Sequence, residues 1–375
     1  MKTVALLTES FWPFAMGGMQ KHSYYMVKYL ARIGINVTVF HNIPENSKNI
    51  RIEDFFSQQE LSIINFFEVP WTKHFFSFPG HYLYKNYIFS KQIYQIIREN
   101  FSKYDFIYAQ GFTAWYLLNK TKQNSLPPVA VNFHGLNMFQ KAPSFVDKIQ
   151  YWIFGYFVKN ILRKSNFSIS LGGKLDYIIR KYYNNVITIP VGIEKEWIIN
   201  NIKYSNDKIR FVFIGRYEKL KGIEELTKVL KTLNGDFHFD FIGPIPVQKR
   251  IKDTRIQYHG QINDEETIKT ILINSDILVC PSWSEGMPTV ILEAMASGCA
   301  IIATDVGAVS EQVDAKNGIL IKPGNVKELS DSLIQMLNID RGELFAMKKE
   351  SIEKIREKFL WEHVIEKTVN KLNIK

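Results

Sequence analysis

The 375-residue chain is predicted to fold as two doubly wound α/β domains facing each other across a cleft, on three observations. Short apolar runs alternate with helix-length stretches throughout, the pattern of strand, crossover helix, strand in a parallel sheet. The series breaks once, at a polar stretch over residues 200–207, and then restarts. The length also exceeds what a single hydrophobic core normally supports. The first domain is expected over residues 1–195 and the second over 208–358.

In the first half, residues 4–8 read as a short apolar strand, followed by a loop to Gly17-Gly18. A helix is expected over 20–33, ended by Gly34, and a second strand over 36–40. Further strands are expected at 106–109, 129–133 and 167–171, with helices at 86–99 and 145–163 between them. The chain leaves this domain around Pro190-Val-Gly-Ile193. The second series opens with Ile209-Arg-Phe-Val-Phe-Ile-Gly215 and continues with strands at 237–242, 256–259, 277–280 and 300–304. Two such sheets facing each other place a ligand at the carboxyl ends of their strands.

Composition excludes several classes. Hydrophobic residues make up 46% of the chain, as in a globular protein. The two cysteines, Cys280 and Cys299, sit in apolar strand-like contexts, which argues against a disulfide framework or a cysteine metal site and for a reducing cytoplasm. The first ten residues are too short an apolar run for a signal peptide, and no segment is long enough to cross a bilayer. A soluble or peripheral protein is expected, cytoplasmic or at the inner face of the cell membrane.

The net charge of +10 is unevenly placed. Residues 1–200 hold 22 Lys+Arg against 12 Asp+Glu, and 40 of the 52 aromatic residues, while the rest of the chain is balanced. Aromatic rings interleaved with cations suit contact with an anionic membrane through this half. A large aromatic core under an ordinary basic surface fits the same counts. Nucleic acid is not expected as a partner, since no recognisable binding motif accompanies the charge. The stretch 145–164 divides similarly: Lys148, Lys159 and Arg163 fall near one helical face, largely opposite Ile153, Phe154, Phe157 and Ile161. Such a helix suits either a membrane surface or ordinary packing on a sheet.

Four places carry candidate chemistry. Glu285 and Glu293 lie eight positions apart, with Gly286-Met287-Pro288-Thr289 directly after the first. A strand-like run leads in and a helix-like run follows. Pro288, with its fixed φ, is placed in the first helical turn, so that free N–H groups of this turn face the crevice. The bare Glu-x7-Glu spacing is weak, since roughly one such pair is expected by chance. Secondly, Arg216 follows the strand 209–214 and Lys221 stands at the next helix entry, so both reach a diphosphate in the crevice; the bland reading is two solvated loop cations. Thirdly, Gly17-Gly18 lets backbone approach a phosphate or sugar, though alone it is simply a turn. It is not Gly-x-Gly-x-x-Gly, so no nicotinamide dinucleotide is expected. Finally, His134 ends the strand 129–133; a lone histidine there serves either structure or the cleft. The chain contains no Asp-x-Asp, and basic side chains would replace a metal beside a departing diphosphate.

Taken together, Pro281-Ser, Glu285-Gly-Met-Pro288, Glu293-Ala-Met-Ala-Ser-Gly298 and the strand 300–304 resemble the signature of the retaining glycosyltransferases of family four, the group 1 type. Gly215-Arg216 and Lys221-Gly222 resemble that family's phosphate-binding element, and Gly17-Gly18 and His134-Gly135 match its loops. The match is specific over residues 209–322 and looser over 1–200. The resemblance implies the GT-B architecture, two Rossmann-like domains facing across a cleft, with a last helix at about 359–375 packing back on the acceptor-binding first domain. It implies transfer of a sugar with retention from a nucleotide-sugar, UDP- or GDP-linked, with no metal or other cofactor. The acceptor would be a saccharide or lipid-linked saccharide in cell-surface polysaccharide or glycolipid synthesis. It assigns the diphosphate to Arg216 and Lys221, sugar hydroxyls to Glu285 and the backbone of 286–289, the ribose to Glu293, and the reacting centre to His134. The chain departs from the family at Pro190-Val-Gly-Ile-Glu194, where the family commonly has Pro-Asn-Gly, at Gln20 for Glu, and at Gln110 for His. The alternatives are a non-catalytic nucleotide-sugar binder supporting a partner enzyme, and a sugar-nucleotide epimerase on the same fold.

Overall fold

The computed structural model describes residues 2–71, 80–121, 126–142, 144–202 and 208–374. Thirteen described strands form two parallel sheets. The first has seven strands: β1 (Thr3–Ser10), β2 (Asn36–Asn42), β3 (Ile64–Glu68), β4 (Phe106–Gln110), β5 (Val129–Asn132), β6 (Phe167–Ser170) and β7 (Val186–Thr188). Their order is β3-β2-β1-β4-β5-β6-β7. The second has six: β8 (Ile209–Ile214), β9 (Phe237–Ile242), β10 (Ile256–Gly260), β11 (Ile277–Cys280), β12 (Ala300–Thr304) and β13 (Gly318–Ile321), ordered β10-β9-β8-β11-β12-β13. The order reverses between β1 and β4 in one sheet and between β8 and β11 in the other. In an open parallel sheet the crevice for a ligand lies outside the strand ends at such a reversal.

The central strands are buried on both faces and read as continuous apolar runs, which is why they were visible in the sequence. One apolar cluster continues from β1, β4 and β5 through Met287, Ile291 and Leu292 to β11 and β12, joining the two sheets. A second lies on the other face of the first sheet and takes in Trp361, Val364, Ile365, Val369 and Leu372. The Trp361–Leu372 helix therefore returns to the first sheet and packs on the Gly18–Arg32 helix. Its approach is fixed by backbone: Ile193 N–H donates to Phe359 O at 2.7 Å, and Trp361 N–H to Ile193 O at 3.2 Å.

Several elements differ from expectation. The first helix starts two residues earlier, at Gly18. The helix expected at 86–99 spans His81–Ile97, because Tyr82 and Leu83 continue its periodicity. The edge strands β3 and β7, and β13, were not expected; β3 and β7 are short and carry few buried residues. Pro288 lies just before the helix Thr289–Ala296 rather than inside its first turn, because its ψ of 122° is extended. Of the expected linker, residues 203–207 lie outside the described residues. The 145–163 helix is present as Phe145–Lys164, but Ile153 stands on its open side, away from Phe154, Phe157 and Ile161. No helix among the described residues is long and apolar enough to cross a membrane.

Candidate active site

Both reversal points open on one cleft. Arg216 and Lys221 follow β8; Glu285 and the Gly286–Thr289 turn follow β11; Gly18 follows β1, and His134 follows β5. The cleft holds a cavity of about 430 Å³, lined by Gly18, His134, Arg216, Lys221, Glu285, Gly286, Met287, Pro288 and Thr289. Nine of the eleven expected site residues thus share one space. Gly17, which precedes Gly18, does not line it. Glu293 lines a narrow adjoining space instead, and Thr289 borders both.

Lys221 and Glu285 form the centre. Lys221 Nζ donates to Glu285 Oε1 at 2.7 Å, and Ser282 Oγ donates to the same oxygen at 2.7 Å. Burial opposes the charge on Lys221, but the Glu285 carboxylate beside it more than offsets this and raises the ammonium pKa. Lys221 is thus a fixed cation in the cleft at any physiological pH. The turn that delivers it needs a glycine: Gly222 has φ +66°, and a Cβ there would lie 1.9 Å from Pro281 O. Arg216 is different. It is largely exposed and, among the described residues, its side chain pairs with Glu218 at 3.1 Å, beside the cavity that it lines.

The Gly286 turn crosses the gap between the sheets. A Cβ on Gly286 would lie 2.4 Å from His134 O, so only glycine permits this approach. Gln140 Nε2 donates to Glu285 O and to Gly135 O, both at 2.8 Å, and Ser284 Oγ donates to Asn137 Oδ1 at 2.8 Å. Among the described residues, the N–H groups of Gly286 and Met287 donate to no protein acceptor. With the start of the Thr289–Ala296 helix behind them, they favour negative charge in the cavity.

His134 has φ 57°, held by its N–H donating to Asn132 Oδ1 at 2.8 Å. Its ring Nε2 donates to Gln110 Oε1, while Gln110 Nε2 donates to Ser23 Oγ at 2.8 Å. The His22 ring packs edge-on at 4.7 Å. Burial pushes the His134 imidazole down to about 4, so it is neutral at pH 7. Its Nε2–H and its main-chain N–H are both engaged, which leaves Nδ1 for a ligand. Gln110 is therefore the partner that orients His134.

Glu293 is buried; burial raises its pKa, Lys21 lowers it, and nearby Glu265 raises it, for a net rise. Lys21, in the first helix, reaches across to Glu265 Oε1 at 2.7 Å and Glu293 Oε1 at 3.9 Å. Sequence reasoning missed Lys21, although it follows the Gly17-Gly18 loop directly; nothing local marks a lysine whose partners lie more than 240 residues away. It also missed Glu9, near the end of β1 at the reversal point. This half-buried carboxyl is pushed up to about 7 by burial, beside Gly111 and Tyr82. Among the described residues no cluster of three His, Cys, Asp or Glu is placed to hold a metal ion.

Two family models match the chain: one described as Glycosyltransferase Family 4 over residues 16–197, and one described as Glycosyl transferases group 1 over 208–338. The chain is a family 4 glycosyltransferase. A Methanocaldococcus jannaschii glycosyltransferase, MJ1178, is 26% identical over 369 residues, covering 96% of this chain and 95% of its own. TuaC of Bacillus subtilis, named for teichuronic acid biosynthesis, is 31% identical over 155 residues, 39% of this chain and 40% of its own. The solved structure of Anabaena HepE in complex with UDP has a TM-score of 0.70 at 16% identity and covers both chains in full, so this glycosyltransferase shares its two-sheet GT-B fold.

Proposed function

We propose that this glycosyltransferase moves a sugar from a UDP- or GDP-linked donor to a saccharide or lipid-linked saccharide acceptor, with retention and without a metal ion, in cell-surface polysaccharide or glycolipid synthesis. One observation carries the reading: the half-buried Lys221–Glu285 pair beyond the ends of β8 and β11, with the exposed Arg216 guanidinium and two N–H groups that have no protein acceptor among the described residues around the same cavity. In this reading Lys221 and Arg216 hold the diphosphate and stabilise the charge it gains as it departs. Glu285 accepts hydrogen bonds from sugar hydroxyls, and Glu293 from the ribose. HepE's complex with UDP and TuaC's name support the donor and acceptor classes respectively.

In the proposed step the bond from the anomeric carbon to the diphosphate oxygen breaks, and a bond from the acceptor oxygen forms on the same face. The acceptor's proton passes to the departing phosphate oxygen, so no protein carboxylate is needed as nucleophile. His134, neutral and oriented by Gln110, lines the reacting face. The basic, aromatic first half supports work at the inner membrane face.

The test is a panel of UDP- and GDP-sugars, with and without EDTA, followed by proton NMR of the anomeric product. Hydrolysis or transfer of one donor, unaffected by EDTA and giving the donor's own anomeric configuration, is expected. An inverted product or an EDTA-sensitive rate overturns the mechanism, and turnover of no donor overturns the donor class.

A further inference from the structure

The Phe145–Lys164 helix presents an apolar stripe to solvent. Phe145 is 75% exposed, Val146 73%, Ile149 51%, Trp152 78%, Ile153 41% and Tyr156 67%. Positions 145, 149, 152 and 156 fall one helical turn apart along a single line, with 146 and 153 beside it. The opposite side is satisfied: Gly155, Val158, Ile161 and Leu162 are buried in the core of the first sheet, and Phe154 and Phe157 pack against it. The stripe is therefore not a core face turned the wrong way. It is a second apolar face on a helix already packed, and scattered exposure does not account for six neighbouring large side chains.

Its surroundings are cationic and aromatic. Lys148, Arg163 and Lys164 on this helix, and Lys141 just before it, are exposed. The helix holds one acid, Asp147, which sits in its first turn, where Ser144 caps it. On the neighbouring helix His81–Ile97, Tyr82 and Tyr84 are exposed, and the Tyr82 ring lies 5.6 Å from Phe154. Trp and Tyr over aliphatic side chains with a Lys/Arg rim match the layers of a bilayer surface, acyl boundary, headgroup and anionic charge in turn. A second copy of this chain would bring two cationic rims together, which opposes self-association through this face. The 20-residue helix, about 30 Å long, is a raised ridge rather than a groove for a peptide.

The ridge also adjoins the cleft. The segment leading into it includes Asn137 and Gln140, which bond Ser284 and the backbone of Glu285. We infer that this helix face, centred on Trp152, is the surface by which the protein docks on an anionic phospholipid membrane, setting the cleft against the bilayer. The inference rests on the proposed lipid-linked acceptor for its purpose, and on the exposed stripe and its rim for its substance.

Flotation of the full chain with vesicles tests it, using phosphatidylcholine alone and phosphatidylcholine mixed with phosphatidylglycerol, at low and high salt. Expected is co-flotation with the mixed vesicles, weakened by salt, and at least about tenfold loss of the bound fraction in the triple variant Ile149→Ser, Trp152→Ser, Tyr156→Ser. Lys148→Glu with Arg163→Glu should lose binding to the mixed vesicles while leaving the stripe whole, so a misfolded triple variant does not shield the idea. Both variants should keep the wild-type melting temperature and donor hydrolysis. Wild type that stays below both vesicle types overturns the inference, as do variants that float like wild type. A concentration-dependent dimer abolished by the triple variant would assign the face to a second copy instead. Donor hydrolysis is read separately from flotation, so failure of the proposed reaction is told apart from failure of the docking surface.

Discussion

Lys21 is the side chain whose removal is most informative. It comes from the first helix, yet its ammonium lies 3.9 Å from Glu293 and 2.7 Å from Glu265 on the facing lobe. Glu293 is buried, so without a cation nearby its proton is retained to higher pH. At 3.9 Å and an effective dielectric near 20, the attraction between unit charges is about 4 kcal/mol. If about a third survives sharing with Glu265, that is roughly 1.4 kcal/mol, or tenfold in an equilibrium constant. Lys21→Met removes this attraction and leaves Glu265 repelling Glu293, so both effects push the Glu293 carboxyl further up. The other groups facing the cluster are Glu194, Lys28, Tyr25 and His22; Tyr25 is pushed up and His22 is held neutral by burial. In the proposed role of Glu293, a carboxylate would accept two hydrogen bonds from the ribose where a carboxylic acid would accept fewer. Calorimetric affinities for UDP and GDP, for wild type, Lys21→Met and Lys21→Arg, should be compared between about pH 6.5 and 9. The ratio of variant to wild type cancels the nucleotide's own titration. We expect the Met variant to bind more weakly than wild type at the low end of the range, by up to about tenfold, and the gap to narrow as pH rises, because its acid holds its proton to a higher pH than the wild-type one does; the Arg variant should track wild type. A deficit of constant size across the range, or none, would refute the coupling of Lys21 to Glu293.

Three other outcomes follow from the same geometry. Lys221→Met should lower kcat by about 10²–10³-fold, as loss of one preorganised positive group beside a departing charge does; an unchanged kcat in steady-state assays removes Lys221 from the chemistry. Glu9→Gln should be more thermostable than wild type, with an advantage that is absent below pH 4.5, grows as the pH rises to about 7 and then levels off. The sign follows because a carboxyl whose folded pKa is raised by burial loses stability as it is forced to ionise; melting curves at several pH values that run parallel would contradict it. Trp361→Ala should cost about 3–5 kcal/mol in urea unfolding, since this fully buried ring seats the returning helix; a loss under about 1 kcal/mol would show that the helix docks without it.

The parts of the fold that were legible are those where burial is two-sided. β11 is apolar throughout, β1, β4 and β12 hold unbroken apolar runs at 4–7, 106–109 and 300–303, and β8 is broken only by Arg210, so each announces itself as a central strand of a parallel sheet. The edges were not legible. β7 is three residues long and half-buried throughout, and β3 mixes Asn65 and Glu68 with Phe66 and Phe67, so neither shows a strand period. The helix Phe145–Lys164 misled for the opposite reason. With apolar residues on both faces its moment is small, and Ile153 could not be assigned to the packed side from spacing.

At the site, what was readable was whatever the motif holds within a few residues. Gly286 to Thr289, Glu285 and Lys221 follow strand ends directly, and strand ends at a reversal of sheet order must meet. What could not be read were the bonds made across the gap. Gln110 looked like a loss, since the family often has a histidine there, yet its amide oxygen accepts a hydrogen bond from His134 Nε2–H while its amide nitrogen donates to Ser23 Oγ, fixing the imidazole's tautomer. Lys21 looked like one more basic residue in a basic half. Its partners lie on helices 244 and 272 positions later, at Glu265 and Glu293, and no local period encodes such a distance. The two lobes therefore divide the labour unequally: the second carries the recognisable motif and its own Lys221–Glu285 pair, while the first supplies Lys21 beside Glu293 and, within itself, the Gln110 hydrogen bond that orients His134.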